Sequence, residues 1–324
     1  MTELFAADPV AAGIGDDPFV GAFRHEALLY ADPDEFMERA AAFIQGGLAA
    51  REPVFVLLAV SKIESLRRAL GRAAGKVLWG DMTRTGRNPA RIISVWRDFV
   101  ADHAEFDRVR GIAEPIWPER TAEELVESQR HESLVNLAFA GVPAWILCFY
   151  DLSSLAPSVI DEAHRSHPLI AARGTRRPSA TFRDLEEIAL PFDDPLIEPA
   201  SAEEVRLTTD GLSAIRALVA QRAGAAGLSP ERIGDVVLAV NEVVTNSLRH
   251  GAGRAALRIW WDEAELVCEV TDEGKIDLPL AGRQRPTIGG RSGYGLWIAN
   301  QLSDLVQLRS FPTGSVVRLH VSRR

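Results

Sequence analysis

The second half of this chain turns on the stretch "VVLAVNEVVTNSLRHG", residues 236–251. Its run of valines is interrupted by Glu242, Asn246 and His250, each four residues from the last. Side chains four apart stack on one face of an α-helix, so these three join Asp235 and Arg249 in a single polar stripe. Ile233, Val236, Val237, Val240, Val244 and Leu248 fall on the opposite side. The segment reads as an amphipathic helix whose polar stripe faces either water or a ligand. In "LSPER" just before it, Ser229 can cap the helix and Pro230 suits its first position.

Working outward, a helix over 210–226 precedes this one, and two strands follow at 254–262 and 264–272. A loop rich in Gly, Pro and Arg then leads to a helix over 294–303. The hairpin "LVQLRSFPTGSVVRLHV", turning at Pro312-Thr313-Gly314, comes last. Helices on one face of a largely antiparallel sheet make an α/β sandwich. From residue 24 to 165 the pattern is different. Strand-like runs "HEALLY", "VFVLLAV", "KVLWGD", "RVRGIAEPI" and "AWILCFYD" alternate with helical ones, which predicts a mostly parallel sheet with helices on both faces. Residues 170–200 carry four prolines, mixed charge and no sustained period, and read as a boundary. The expected layout is a flexible tail over 1–21, one domain over 22–170, a linker over 171–200 and a second domain over 201–324.

Composition narrows the function. A chain of 324 residues exceeds one comfortable core, and 47% apolar content supplies two. A net charge of −9 argues against nucleic acid as the main partner, since phosphate binding needs a concentrated basic surface. The nearest candidate, "RGTRRPSATFR" at 173–183, reads as a solvated linker. Cys148 and Cys268 lie far apart in apolar runs and are expected as buried free thiols, which fits a reducing cytoplasm. The N-terminus lacks the basic start and apolar core of a secretion signal, and the longest apolar runs are strand-sized, so no membrane association is expected.

Candidate chemistry lies in the second half. Asp272 sits just past a strand with Gly274 two residues on, where the main chain can approach a planar ligand and a carboxylate can accept from an exocyclic amine. Gly289, Gly290, Gly293 and Gly295 precede a helix whose first amides are anion donors. The ordered set "E-x-x-x-N-x-x-x-H-G", "D-x-G", "G-x-G-L" and a terminal "G-S-V-V-R-L" strand resembles the GHKL ATPases of Bergerat-type fold, and among them the anti-sigma-factor serine kinases. The resemblance covers roughly 201–324. It implies ATP and Mg²⁺ as cofactors, with Glu242 as general base, Asn246 as the magnesium ligand, Asp272 as the adenine contact and Gly274 as the floor of the base pocket. Gly293 and Gly295 would line the phosphates, and Ser315 stands where the family commonly has a threonine near the adenine. The chain departs from the family's "D-x-G-x-G" in "DEGKIDLP", where Ile276 replaces the second glycine. An altered lid follows, which puts turnover in question.

The first half resembles the MEDS sensory domain, a small-molecule sensor with a fold related to RecA-like ATPases, in "HEALLY", "GIAEPIW", "SQRHESLVNLAFA" and "CFYDLSSLAP" followed by "HP". No Walker motif is present: "GRAAGKV" at 71–77 has one residue too few between its glycines and runs into a strand. His25, Glu114, His131, Glu132, Asn136 and Asp151 lie in or beside its elements. Any one of them could cap, pair or face solvent; as a set, His25, Glu114, Glu132 and Asp151 are ligand-pocket candidates. No metal-ligand spacing is apparent, because His164 and His167 lack a thiolate or carboxylate partner nearby in sequence. The resemblances imply a cytoplasmic regulator that senses a ligand and phosphorylates a serine or threonine on an anti-anti-sigma protein of the STAS class, sequesters a sigma factor, or does both. A nucleotide-gated binding module without kinase activity is the alternative. A histidine-kinase half is disfavoured, since 170–200 holds no histidine. Whether the chain forms a homodimer is left open.

Overall fold

The computed structural model describes residues 23–183, 194–251, 254–262, 265–286 and 293–323; the expected N-terminal tail lies outside them. They divide into two compact units, one from 23–86 and 95–183, the other from 87–94 and 194–323.

The first unit carries a seven-stranded sheet: β1 (Phe23–Tyr30), β2 (Val54–Leu58), β3 (Leu78–Asp81), β4 (Val109–Ala113), β5 (Ala144–Asp151), β6 (Leu169–Ala172) and β7 (Thr175–Pro178). Their order across the sheet is β3-β2-β4-β5-β1-β6-β7, parallel except for β7. The connecting helices are α1 (Pro33–Ala49), α2 (Val60–Leu70), the short α3 (Met82–Thr85), α4 (Ile92–Ala101, of which residues 95–101 belong to this unit), α5 (Ala122–Ala138) and α6 (Pro157–Ser166). Local chemistry fixes where they begin. Asp32 accepts the amides of Asp34 and Glu35 at the start of α1, with proline in the first turn, and Thr121 and Glu124 close a reciprocal cap on α5. Strand alternation divides the faces. Leu28, Tyr30, Leu147 and Phe149 pack with Phe36, Ile44, Ile63 and Leu66 of α1 and α2. His25, Ala27, Cys148 and Tyr150 point the other way, toward α5 and α6.

The second unit is a five-stranded antiparallel sheet of β8 (Glu203–Arg206), β9 (Ala255–Asp262), β10 (Glu265–Asp272), β11 (Leu305–Phe311) and β12 (Gly314–Ser322), ordered β11-β12-β10-β9-β8. Three helices, α7 (Leu212–Ala225), α8 (Pro230–His250) and α9 (Tyr294–Leu302), contribute to one core with its inward residues. The opening stretch forms most of α8, capped by Ser229 as expected. Its buried face is Val236, Ala239, Val240, Val243, Val244 and Ser247, so the apolar stripe is rotated from the one read in the sequence. Ile233, Val237 and Leu248 lie at its margin, half-buried. The β11–β12 hairpin closes at Gly314, whose φ of 146° and near contact with the Asp272 carbonyl exclude a side chain.

One boundary needs correction. The expected linker, 171–200, begins inside the first sheet, because β6 and β7 occupy 169–178. The arginines that made this segment look solvated serve a buried charge: Arg176 Nε lies 2.6 Å from Oε1 of Glu26, which is wholly buried. Trp145 Nε1 donates to the other oxygen at 3.2 Å, and Arg24 lies 3.3 Å from it. The edge strand β8 was also unread; its exposed "EEVR" has little apolar content to betray it. Arg176→Ala is expected to cost the first unit about 1–3 kcal/mol, the loss of a hydrogen bond to a charged group, since Glu26 keeps its other two donors. Urea unfolding followed by tryptophan fluorescence checks it; an unchanged midpoint would detach β7 from the stability of the sheet.

Candidate functional site

Strand period builds the first cluster. Along β10 the inward residues are Leu266, Cys268 and Val270, all buried, and the next in the series is Asp272. Its register partner on β12 is Ser315. A carboxylate thus continues a row of core side chains, and such a group must be hydrogen-bonded. Ser247 Oγ of α8 donates to Oδ2 at 2.6 Å, Ser315 Oγ donates to Oδ1 at 3.1 Å, and the Gly274 amide donates to Oδ1 at 2.8 Å. An ionised carboxylate has about four acceptor positions, so three donors leave one free.

Two glycines let the end of α8 and the loop after β10 approach closely. A Cβ on Gly274 would lie 2.8 Å from Gly251 Cα and 2.8 Å from the His250 carbonyl; one on Gly251 would lie 2.7 Å from the Asp272 side chain. The end of α8 and the loop after β10 touch backbone to backbone, and no side chain fits between them. Further along α8, Glu242 and Asn246 are half-buried, while His250 is exposed. Gly295, in the first turn of α9, lies against Glu242: its Cβ would be 3.4 Å from the Glu242 carbonyl and 3.5 Å from Oε2. Gly293 caps that helix in the left-handed conformation, at φ 97°. Asp272, Gly274 and Ser315 thus meet the C-terminal end of α8 at Ser247, His250 and Gly251, while Gly295 lies against Glu242 earlier on the same helix, with Asn246 one turn beyond Glu242. Gly289 and Gly290 lie outside the described residues. Sequence reading missed Ser247, although a serine on the buried face with Val240, Val243 and Val244 is a signal of a buried acceptor. Ile276 is half-buried, its side chain packing this loop against the core as a glycine could not, while its backbone amide, which a glycine would equally offer, donates to Ser310 Oγ at 2.9 Å.

In the first unit the four ligand-pocket candidates separate. Glu114 and Asp151 lie at the carboxyl ends of β4 and β5. Tyr30 donates to Glu114 at 2.8 Å and Lys62 to both of its oxygens at 2.6 Å, with Lys62 4.6 Å above the Phe36 ring. Asp151 accepts from the Ser153 amide and hydroxyl. Those hydrogen bonds and the Lys62 charge outweigh its partial burial and hold its carboxyl below the usual range. Tyr30 and Lys62 had not been singled out.

His25 and Glu132 belong instead to an enclosed cluster on the opposite face, with His131, Asn136, Cys148, Tyr150 and His167, all buried. His167 Nε2 lies 2.9 Å from Glu132 Oε2, and Tyr150 donates to that oxygen at 3.1 Å. Burial, with His167 adding to it, pushes His25 down to about 3. Burial alone would raise the Glu132 carboxyl, but His167, then His25 and His131, hold it down to about 2. His167 escaped the sequence reading because its partners come from α5 and β5.

Comparison with known proteins agrees with this division. Residues 24–168 match the family model for MEDS, the methanogen/methylotroph DcmR sensory domain, and 205–321 match that for the histidine kinase-like ATPase domain. No curated protein matches the sequence. Among solved structures, the RsbU and RsbW domains of Rv1364c from Mycobacterium tuberculosis align at 18% identity and TM-score 0.30, over 38% of this chain and 33% of that one. The chain thus spans about a third of that relative's length. The Acinetobacter baumannii histidine kinase AdeS aligns at 14% identity and TM-score 0.23, over 38% of this chain and 69% of that one. Two segments of one chain thus match a sensory-domain model and an ATPase-domain model, each over less than half of its length. No helix among the described residues is long and apolar enough to cross a membrane.

The glycine contacts give a differential test of the site's geometry. Gly274→Ala is expected to destabilise the second unit by about 1–3 kcal/mol, the usual cost of overpacking, because both opposing atoms are backbone. Gly295→Ala meets ordinary contact distances and is expected to leave stability within about 0.5 kcal/mol of the parent. Thermal denaturation distinguishes them, and equal shifts would contradict the close approach at Gly274.

Proposed function

We propose that the second unit binds Mg-ATP beside α8 and transfers its terminal phosphoryl group to a serine or threonine of an anti-anti-sigma protein of the STAS class, sequesters a sigma factor, or does both, under the control of the first unit. The supporting observation is the Asp272 carboxylate, fixed by Ser247, Ser315 and Gly274 with an acceptor position left over. That position suits the exocyclic amine of adenine, and the bare backbone at Gly251 and Gly274 suits the flat face of the base.

The donor set also fits a magnesium-bound triphosphate. Asn246 offers a neutral amide oxygen on the open side of α8, one turn from Glu242, and Mg²⁺ keeps several waters, so one protein oxygen beside phosphate oxygens is enough. When bound, the ion neutralises phosphate charge. Gly293 and Gly295 leave the first amides of α9 uncovered as donors to phosphate oxygens. Glu242 flanks this helix start and accepts the proton of an incoming hydroxyl. In the first unit, Lys62, Tyr30, Glu114 and Asp151 lie about the carboxyl ends of the strands, where ligands of parallel sheets bind, and they supply both charge signs to a small polar ligand. The cytoplasm is the compartment that holds such partners and keeps the two free cysteines reduced.

One observation favours a second reading. The Ile276 side chain packs the loop after β10 against the core where this family's pattern has a glycine with no side chain to pack. A restrained loop suits a nucleotide-gated binding module that never transfers phosphate.

Labelled ATP with a candidate anti-anti-sigma protein separates the readings. Glu242→Gln is expected to spare ATP binding and to slow phosphotransfer by about 10²–10⁴-fold. Asn246→Ala is expected to weaken the magnesium-dependent part of ATP binding, read by calorimetry. Undiminished labelling with the Gln variant removes Glu242 from its role, and no labelling of any cognate partner favours the binding module.

A further inference from the structure

The enclosed cluster of the first unit has no part in nucleotide chemistry, and its composition is that of a metal site. One ring nitrogen each of His25 and His167, one Glu132 oxygen and Cys148 Sγ all lie within 4.8 Å of one another. They come from β1, α5, β5 and the end of α6, on one face of the sheet.

The surrounding hydrogen bonds determine which nitrogens face inward. The Asn136 amide nitrogen has only carbonyl oxygens as neighbours, those of Glu132, Ser133 and Ser166 at 3.4, 3.2 and 2.7 Å. Its oxygen must therefore face His25 Nδ1, 3.1 Å away, so Nδ1 carries the proton and donates. His167 Nδ1 lies 2.9 Å from the Ala163 carbonyl, which can only accept, so it too is a donor. Both rings thus turn Nε2 inward, each held by a hydrogen bond from Nδ1 of the kind that orients metal-binding imidazoles. The rings lie 4.0 Å apart between centroids, which disfavours two imidazolium charges.

The inward atoms are spaced so that one cation can sit between them. His167 Nε2 approaches Glu132 Oε2 at 2.9 Å without an aligned hydrogen bond, and His25 Nε2 lies 3.7 Å from that oxygen and 3.5 Å from Cys148 Sγ. Bonds of about 2.0–2.3 Å to a tetrahedral zinc place ligand atoms about 3.3–3.8 Å apart, which the 3.5 and 3.7 Å pairs match and to which the 2.9 Å His167–Glu132 pair would open on binding. We propose that His25, Glu132, Cys148 and His167 form a four-coordinate site for one zinc ion. Two neutral imidazoles, one thiolate and one carboxylate balance its charge, which lowers the cost of burying the ion. A mixed N, S, O donor set suits zinc over magnesium or calcium, which take oxygen. Binding expels the Cys148 thiol proton to solvent, together with any proton on His167 Nε2. Four protein ligands leave no open position, so the ion ties β1, β5, α5 and α6 together and does not act as a catalyst.

Metal analysis of the full-length protein, purified without chelator and dialysed, is expected to give about one zinc per chain. Refolding with Co²⁺ alone is expected to give intense tetrahedral d–d bands and a thiolate-to-cobalt charge-transfer band. Cys148→Ser is expected to abolish the charge-transfer band, and Asn136→Ala, which frees the His25 ring, to weaken Zn²⁺ binding about 10–100-fold. Circular dichroism checks that each variant folds. If a variant does not, the parent's metal content and cobalt spectrum decide alone. Parent protein without stoichiometric metal that also refolds unchanged in excess Zn²⁺ would overturn the site, as would cobalt bound without a thiolate band.

Discussion

Asp272 is an ionisable side chain that strand alternation places on the face its neighbours use for hydrophobic core. The side chain is half-buried, and the second unit supplies it donors from three directions: helix α8, strand β12 and the loop backbone. Each donor constrains an element. Ser247 fixes the rotation of α8 about its axis, which puts Glu242 and Asn246 on the open side. Ser315 fixes the register of β12, and the Gly274 amide folds the loop back beneath the end of α8. The proposed nucleotide site is thus a by-product of satisfying one carboxylate.

The parts legible in the sequence were those with short-range causes. Alternation of strand and helix periods gave the parallel sheet, Ser229 and Pro230 gave the start of α8, and ordered motifs gave the cluster about Asp272. The rotation of α8 was misjudged because Val243 and Ser247 look no different from their neighbours until a sheet lies beneath them. Arg176 was mistaken for a solvated residue because Glu26, the charge it neutralises, is 150 positions away. Spacing rules find ligands that share a helix or a loop; they have no access to groups brought together by a parallel sheet.

His25, Glu132, Cys148 and His167 show this limit most clearly. Each taken singly reads as a cap, a core residue or a surface group, and α5 hardly registers as amphipathic because its buried side carries Glu127, Arg130, His131, Glu132 and Asn136. A helix that buries so many polar groups gains little from the hydrophobic effect. It must be held by directional bonds, such as the Asn136 contacts to Ser166 and to His25.

The Thr175–Pro178 strand, described above for its hold on Glu26, also ends the first sheet. An edge strand offers unpaired amides and carbonyls to any extended segment, from another chain or a nascent one, and this is the route to strand-swapped aggregates. Here that edge is four residues long, carries Arg177 exposed beside Arg176, and ends in a proline that has no amide to offer. Arg176 completes the fold internally and, with Arg177, guards the edge externally, so mutating Arg176 would be felt in solubility during synthesis as well as in the stability of the finished chain.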